Sequence, residues 1–596
     1  MAKKELEARD PRHQRLHPEP VHQPPWAAGT SEALAKGATL RFPNGPTRIV
    51  ILGGGFAGVY TAKYLTSMIG KRQDIEVELL SEENYFVFQP LLPEVAAGGI
   101  AATHVVNPIR ELVPRARFRC CRVQRIDFEH KCVLVSQGEG LEMVGVQYDH
   151  LVFCLGKVTS FATMPGVAEH ALAMKDLSDA FRLRNHVIRC LELADIETDP
   201  ELRRALLTFV VAGGGFSGVE TIGELHELVE RSLKYFPLIR REEVRFKLIH
   251  SQAVLLPEMP RKLGLAAQAI LEKRGVEMVL GTLVRAASRE HVYLADDRVI
   301  ATRTFVCTVG NAPNPIAKQA IAVGGFAEAQ VNGRNIGIFE TDGMLQCLGK
   351  PGYWAVGDCA GIPNPSGKGF CPPTAQFAIR EAKACARNIL ATIDQKPMVT
   401  FTFKALGILA SLGRRSAVAD LFGIQLTGFI AWFMWRTIYL FKLPGIVRRL
   451  RVALDWTLDL FFPRDITQLQ AFTPQRLNTQ HYEPGETIVR KGQIGREFYI
   501  ILKGQVHVVA NGNLVATLGE REVFGERALL EDTPRTATVR AVGQVDLLVM
   551  SRGDFRSMVT SFPVLDEYFS ALLRRRHPDA MPMNVLASMK SDATSL

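Results

Sequence analysis

The chain has 596 residues, 47% of them hydrophobic and 22% charged, with a formal net charge of +10. That length requires several cores, at roughly 100–200 residues per domain, and the composition excludes a disordered or fibrous chain. Ten cysteines without C-x-x-C or C-x-x-x-x-C spacing argue against a zinc site and a paired redox disulfide, so no metal is expected.

Residues 1–46 open with "MAKKELEARDPRHQRLHPEPVHQPPW", rich in His, Pro and charge and without an apolar core. This predicts a disordered tail and no export signal. At 47–65, "TRIVILGGGFAGVYTAKYL" gives an apolar strand, the glycines Gly53, Gly55 and Gly58, then a helix. The first Gly permits the turn, and the second lets a pyrophosphate approach the backbone. The third lets helix pack on strand, while the helix N-terminus offers free N–H groups. At 207–225, "LTFVVAGGGFSGVETIGEL" repeats the unit with Gly213, Gly215 and Gly218. One dinucleotide site suffices for a simple dehydrogenase. Two predict one dinucleotide held permanently and one that visits.

At 352–361, "GYWAVGDCAG" ends a strand in Gly357-Asp358. It resembles the distal flavin motif of two-dinucleotide-domain flavoproteins, in which the Asp accepts from a ribityl hydroxyl of FAD. The motif order implies an NAD unit inserted within an FAD unit. The expected division is FAD at 47–160 and 325–400, with NAD(P)H at 161–324.

Three further stretches, "NYFVFQPLLPEVAAGGI", "LVFCLGKVTSF" and "PPTAQFAIREAKACARNI", are similar to type II NADH:quinone oxidoreductases, and the resemblance covers about residues 47–465. It implies hydride transfer from NADH to FAD, then two-electron reduction of a membrane quinone without proton pumping. It also implies roles for particular residues. Ala375-Gln376 resembles the family's quinone-side pair, and Glu220 matches a carboxylate near the flavin and nicotinamide that orients or relays protons. Phe56, Ala57 and Gly156 join the FAD residues, and Gly310 the NAD residues. Ser81 stands where an Asp often holds the adenosine ribose of FAD, with Glu82 next to it. His250 stands where an acid would bind the NAD ribose. With Arg245 and Lys247 nearby, NADPH stays open beside NADH. Cys154 and Cys371 keep a sulfide:quinone oxidoreductase as the alternative enzyme, and a non-catalytic sensor as the alternative class.

Residues 401–465 hold nine Lys/Arg against four Asp, together with Trp432, Trp435 and Trp456. The run "IQLTGFIAWFMWRTIYLFKL" at 424–443 has bilayer-spanning length, but Arg436 near its centre costs about 2.5–3.5 kcal/mol on insertion scales. In the next segment Val447, Leu450, Leu454, Leu458 and Phe461 share one helical stripe, and Arg448, Arg451, Asp455 and Asp459 a neighbouring one. The expectation is an amphipathic helical anchor lying on an anionic membrane surface, on the cytoplasmic face. A homodimer through this region stays open.

Residues 466–576 change to short alternating runs broken by glycines, which predicts a β-barrel or jelly roll. The stretch resembles cyclic-nucleotide-binding domains, and "FGERALLEDTPRTATVRA" resembles their phosphate cassette. By that resemblance Gly525, Glu526 and Ala528 face the cyclic phosphate and ribose, Arg535 pairs with the phosphate, and Thr536 bears on cAMP against cGMP. Arg527 departs from the apolar residue usual there, and whether it lies over the site or faces water stays open. Residues 577–596 form a tail too short for a helix-turn-helix, and no nucleic-acid module appears. The predicted fold class is therefore α/β, with two Rossmann-like domains, a helical anchor and a C-terminal β-barrel. A cyclic nucleotide is expected to regulate the enzyme.

Overall fold

The structure is a computed structural model that describes residues 45–572, less 138–141, 162–163, 368, 469–476, 494–496, 527–534, 552–554, 556–567 and 569–570. The N-terminal tail through residue 44, the C-terminal tail, Arg527 and Ala528 lie outside the described residues. The chain divides into two compact units: residues 1–84, 109–156 and 313–403, and residues 85–108, 157–312 and 404–596.

The first unit is built on a five-stranded sheet in the order Tyr353–Ala355, His150–Phe153, Thr47–Leu52, Ile75–Ser81, Arg117–Cys120, parallel at every pairing. Ile49, Val50, Ile51 and Leu52 are all buried, the continuous apolar run of a strand covered on both faces. The helix Phe56–Ile69 follows the first strand. Late in the chain, Ala375–Ile393 supplies a second long helix. Phe153 stacks on Phe339 at 4.2 Å, and Phe326 meets both edge-on.

The second unit repeats the architecture. Its parallel sheet runs Val276–Leu280, Arg245–His250, Thr208–Ala212, Thr304–Cys307. An antiparallel meander, Val284–Ala287, His291–Leu294 and Val299–Ala301, packs on it through a core that includes Val210, Ala212, Ile249, Ala287, Val292 and Phe305.

The basic segment forms a three-stranded antiparallel sheet, Gly407–Ser411, Ala417–Leu421 and Ile424–Thr427, then the helices Gly428–Lys442 and Ile446–Phe461. The apolar run at 424–443 is thus not one helix. Phe422 and Gly423 both take positive φ and make a two-residue hairpin loop, so Ile424 pairs with Leu421. The helix that remains has 15 residues, about 22 Å long against a hydrocarbon core of about 30 Å. Among the described residues no helix is long and apolar enough to cross a membrane.

The C-terminal region forms two four-stranded sheets. One is Leu477–Tyr482, Val545–Ser551, Glu497–Lys503, Val523–Phe524; the other is Thr487–Val489, Thr538–Ala541, Val506–Ala510, Asn513–Leu518. Their pairings are antiparallel. They enclose a core of Tyr482, Tyr499, Ile501, Val506, Leu547 and others, as two sheets packed face to face do.

Candidate functional site

The two glycine loops have the same construction. Gly53 and Gly213 take φ of 111° and 117°, a region L side chains avoid. A Cβ on Gly58 would lie 1.8 Å from the Gly53 carbonyl oxygen, and one on Gly218 1.8 Å from that of Gly213. Gly55 and Gly215 cap their helices at φ −81°, ψ −167° and φ −80°, ψ −171°. Neither cap has a side-chain hydrogen bond, so N–H groups of each first turn remain for a ligand. Among the described residues, chain neighbours aside, no atom lies within 4 Å of where a Cβ on Gly55 would be, and Glu258 Oε1, at 3.9 Å, alone approaches that of Gly215. These cradles fit a pyrophosphate.

Around the first loop, Phe56 and the buried Ala57 open the helix. Gly156 (φ 60°) has open space beside it. Gly357 (φ 76°) lies against Ala57 and donates its N–H to Glu381 Oε2 at 3.0 Å, fixing the turn that presents Asp358. Burial pushes the Glu381 carboxyl up to about 7, against the Gly357 bond that lowers it. Ser81 is the last residue of its strand. Glu82 is exposed and pairs with Arg122 at 3.3 Å. Ala375 and the half-buried Gln376 open the helix Ala375–Ile393. Cys154 is buried under the loop, its thiol pushed well up by burial, and Cys371 is pushed up to about 12 by burial. Neither has the depressed pKa of a reactive thiol.

Around the second loop, His250 Nδ1 accepts the Gly214 N–H at 3.2 Å. Its ring packs where a Gly214 side chain would stand, and burial lowers its pKa, so it is a neutral support for the turn. Arg245 is exposed at the opposite end of the strand, and Lys247 is tied to Glu277. Gly310 (φ 98°) has no room for a side chain against the Ser160 carbonyl.

The helix Phe216–Ser232 lays Glu220, Glu224, Glu227 and Arg231 along one face, as spacings of three and four require. Glu220 Oε1 accepts the Ser411 N–H at 3.0 Å. Burial pushes its carboxyl up to about 8, outweighing that bond. Glu224 is likewise driven to about 8 by burial, despite Arg464 at 3.3 Å. Asp459 holds both Arg464 (3.1 Å) and Arg231 (2.8 Å). Glu94 is buried and accepts the Trp456 indole N–H. Arg436 lies over the Trp432 and Trp456 rings at 4.3 and 4.6 Å and 4.0 Å from Glu94. The arginine that reads as a misfit in an apolar run is thus turned inward. Glu94, Glu224, Glu381 and Arg464 were not singled out from the sequence. Only the carboxylates spaced along 220–227 offered a signal.

The helix Ile446–Phe461 buries Val452 and Trp456, flanked by polar contacts: Arg448 donates to the Thr103 carbonyl (2.9 Å) and Asp455 holds His104, whereas Arg451 of the predicted polar stripe is exposed. The predicted apolar stripe faces out, with Leu450 65% and Phe461 77% exposed.

In the barrel, Arg535 and Glu526 are buried and Thr536 is exposed. Arg535 donates to the carbonyls of Gly525 and Glu497 at 2.8 and 2.5 Å. Gly525 takes φ 90°, and a Cβ there would lie 2.6 Å from the Arg535 guanidinium.

Residues 47–382 match the pyridine nucleotide-disulphide oxidoreductase family, 406–465 the NDH2 C-terminal domain, and 479–562 the cyclic nucleotide-binding domain. The type II NADH:quinone oxidoreductase Ndh of Mycobacterium tuberculosis is 33% identical over 442 residues, covering 72% of this chain and 92% of that protein. The chain belongs to the type II NADH:quinone oxidoreductases. The demethylphylloquinone reductase NdbB of Synechocystis, 30% identical, is matched over 95% of its length by 69% of the chain. Among solved structures, NDH2 from Plasmodium falciparum in complex with NADH shares the fold at a TM-score of 0.65 and 19% identity, covering 71% of this chain and 99% of that one. This type II NADH:quinone oxidoreductase also carries a C-terminal cyclic nucleotide-binding domain.

Proposed function

We propose that the protein oxidises NADH and reduces a membrane quinone, with FAD held on the first unit, NADH visiting the second, and a cyclic nucleotide bound by the barrel. The observation that carries this reading is the twinned glycine turn, built to the same 1.8 Å contact in both units of a chain of this family. The isoalloxazine of FAD, when bound, supplies the hydride acceptor and two-electron donor. Gly53, Gly55 and Gly58 cradle its pyrophosphate, Asp358 accepts from its ribityl chain, and Glu381 keeps that turn in place. Gly213, Gly215 and Gly218 do the same for the nicotinamide dinucleotide. Support for NADH over NADPH comes from Arg245 and Lys247: one lies at the far end of its strand and the other is paired.

Burial pushes the Glu220 carboxyl up to about 8, so it holds a proton at neutral pH and relays it during turnover. In the first unit, Gln376 orients the quinone. The outward apolar stripe on Ile446–Phe461 lies on the cytoplasmic membrane surface, where quinone is available. In the barrel, Glu526 accepts from the ribose and Arg535 holds the cyclic phosphate.

The test is anaerobic: NADH bleaches the yellow protein, and a short-chain quinone restores the colour. Bleaching that quinone does not reverse would leave a redox sensor instead of an enzyme.

A further inference from the structure

The barrel and the meander of the NADH-binding sheet meet along a seam of polar contacts. The turn between Val284–Ala287 and His291–Leu294 points three residues at the barrel. Ser288 Oγ donates to Glu486 Oε1 at 2.5 Å, and His291 Nδ1 lies 2.8 Å from the same oxygen. Arg289 donates to Glu497 Oε2 at 3.1 Å. Beside them the His481 N–H donates to His170 Nε2 at 2.9 Å. Gly166 packs so closely that a Cβ there would come within 2.9 Å of the His481 side chain.

Glu497 has a second set of partners inside the barrel. Its backbone carbonyl accepts from Arg535 at 2.5 Å. Its carboxylate accepts the Tyr499 hydroxyl at 2.7 Å on the oxygen that also takes Arg289. The Arg535 guanidinium sits 5.7 Å from the Tyr499 ring centre. One residue therefore holds the arginine that faces the barrel's ligand site and the arginine that projects from the meander.

We propose that Glu497 couples the two nucleotide sites: a cyclic phosphate that engages Arg535 changes the Glu497–Arg289 pair, and through the meander changes affinity for NAD(H). This rests on the reading of the barrel as a cyclic-nucleotide site and of the second glycine loop as the NAD(H) site. An anionic phosphate oxygen is a stronger acceptor for a guanidinium than a neutral carbonyl, so Arg535 redirects donors from Glu497 to the ligand. The carbonyl and the carboxylate belong to the same residue, so the shift reaches Arg289. From there the path is close-packed. Ala287 and Val292 share one core with Ala212 and Ile249, the residues just before Gly213 and His250, and close-packed cores transmit displacement. Linkage requires the effect to be reciprocal.

The experiment uses the full-length oxidised flavoprotein, with NAD+ as a non-reducing probe. Calorimetric titration gives its Kd without cyclic nucleotide, with saturating cAMP, and with saturating cGMP. In the wild type one cyclic nucleotide is expected to change that Kd by about fivefold or more, within the usual range for coupled sites. NAD+ should change the Kd of that cyclic nucleotide by the same factor. In Arg289→Gln the factor falls below about twofold, while cyclic-nucleotide affinity measured alone stays near wild type. The charge-reversed pair Arg289→Glu with Glu497→Arg restores part of it. Arg289→Lys, which keeps the charge, is the second variant if Arg289→Gln does not fold, and it retains most of the coupling. Wild-type coupling in Arg289→Gln, or none in a wild type that binds both ligands, overturns the inference and leaves the barrel's own reading standing. Failure of both cAMP and cGMP to bind overturns both.

Discussion

Ser411 donates its backbone N–H to Glu220 Oε1 across 191 residues of chain, at 3.0 Å. The bond holds in place a carboxyl that burial has pushed from 4.5 to about 8. A carboxyl with a raised folded-state pKa stabilises the protein fully below its unfolded value. That stability is lost as pH rises from about 4.5 through about 8. Thermal midpoints are therefore expected to fall across this window, and Glu220→Gln, which keeps an acceptor for Ser411, to flatten part of the slope. Quinone turnover should lose an alkaline limb near pH 8 in the same variant. A pH–rate profile unchanged by Glu220→Gln would remove the residue from proton transfer.

Alanine at Gly58 or Gly218 would place a methyl 1.8 Å from a carbonyl oxygen, and overpacking of this kind costs roughly 1–3 kcal/mol or more. The two substitutions should separate by function. Gly58→Ala is expected to lose bound FAD, measured by the absorbance of the desalted protein. Gly218→Ala should keep its colour and lose reduction by NADH.

Glu381→Leu leaves the half-buried Gly357 N–H without its acceptor, a loss of about 1 kcal/mol or more. FAD should dissociate faster on dilution, and Glu381→Gln should restore retention. Equal retention in the leucine and glutamine variants would show that the Gly357 turn stands without this bond.

Arg436→Met removes a cation packed on two indoles beside the buried Glu94. Leaving that carboxylate less compensated is expected to cost about 3–5 kcal/mol, read as a lower denaturant midpoint. Combining it with Glu94→Gln should recover a large part, because the uncompensated charge is then gone.

Leu450→Glu with Leu454→Glu puts charge on the outward stripe. Co-sedimentation with anionic vesicles should drop several-fold, while anaerobic bleaching by NADH is unchanged. Sedimentation equal to wild type would place the lipid contact elsewhere.

The glycine turns were legible in the sequence because their requirement is local: a positive φ and a 1.8 Å approach exclude every other residue. The barrel was legible from turn glycines and alternation for the same reason. What sequence could not supply was the destination of long side chains. Arg436 read as a cost within an apolar helix, since its partner Glu94 lies far away in the chain. The Arg245 and Lys247 alternation was visible, but not that Lys247 is taken by Glu277. His250 occupied a familiar strand-end position, yet its imidazole folds back to the Gly214 N–H instead of reaching outward. At 424–443 hydropathy alone reads as a helix, and only the positive φ at Phe422 and Gly423 shows why the run begins as a hairpin strand.

The two glycine turns are near copies of each other, at φ 111° and 117° with the same 1.8 Å approach. Built alike in dihedral angle and clearance, neither can discriminate between an adenine dinucleotide bearing a flavin and one bearing a nicotinamide. Sorting must fall to groups beyond the pyrophosphate, because the two ligands share the same adenosine diphosphate half. Selectivity between such ligands belongs at the isoalloxazine and nicotinamide ends, the only parts in which they differ.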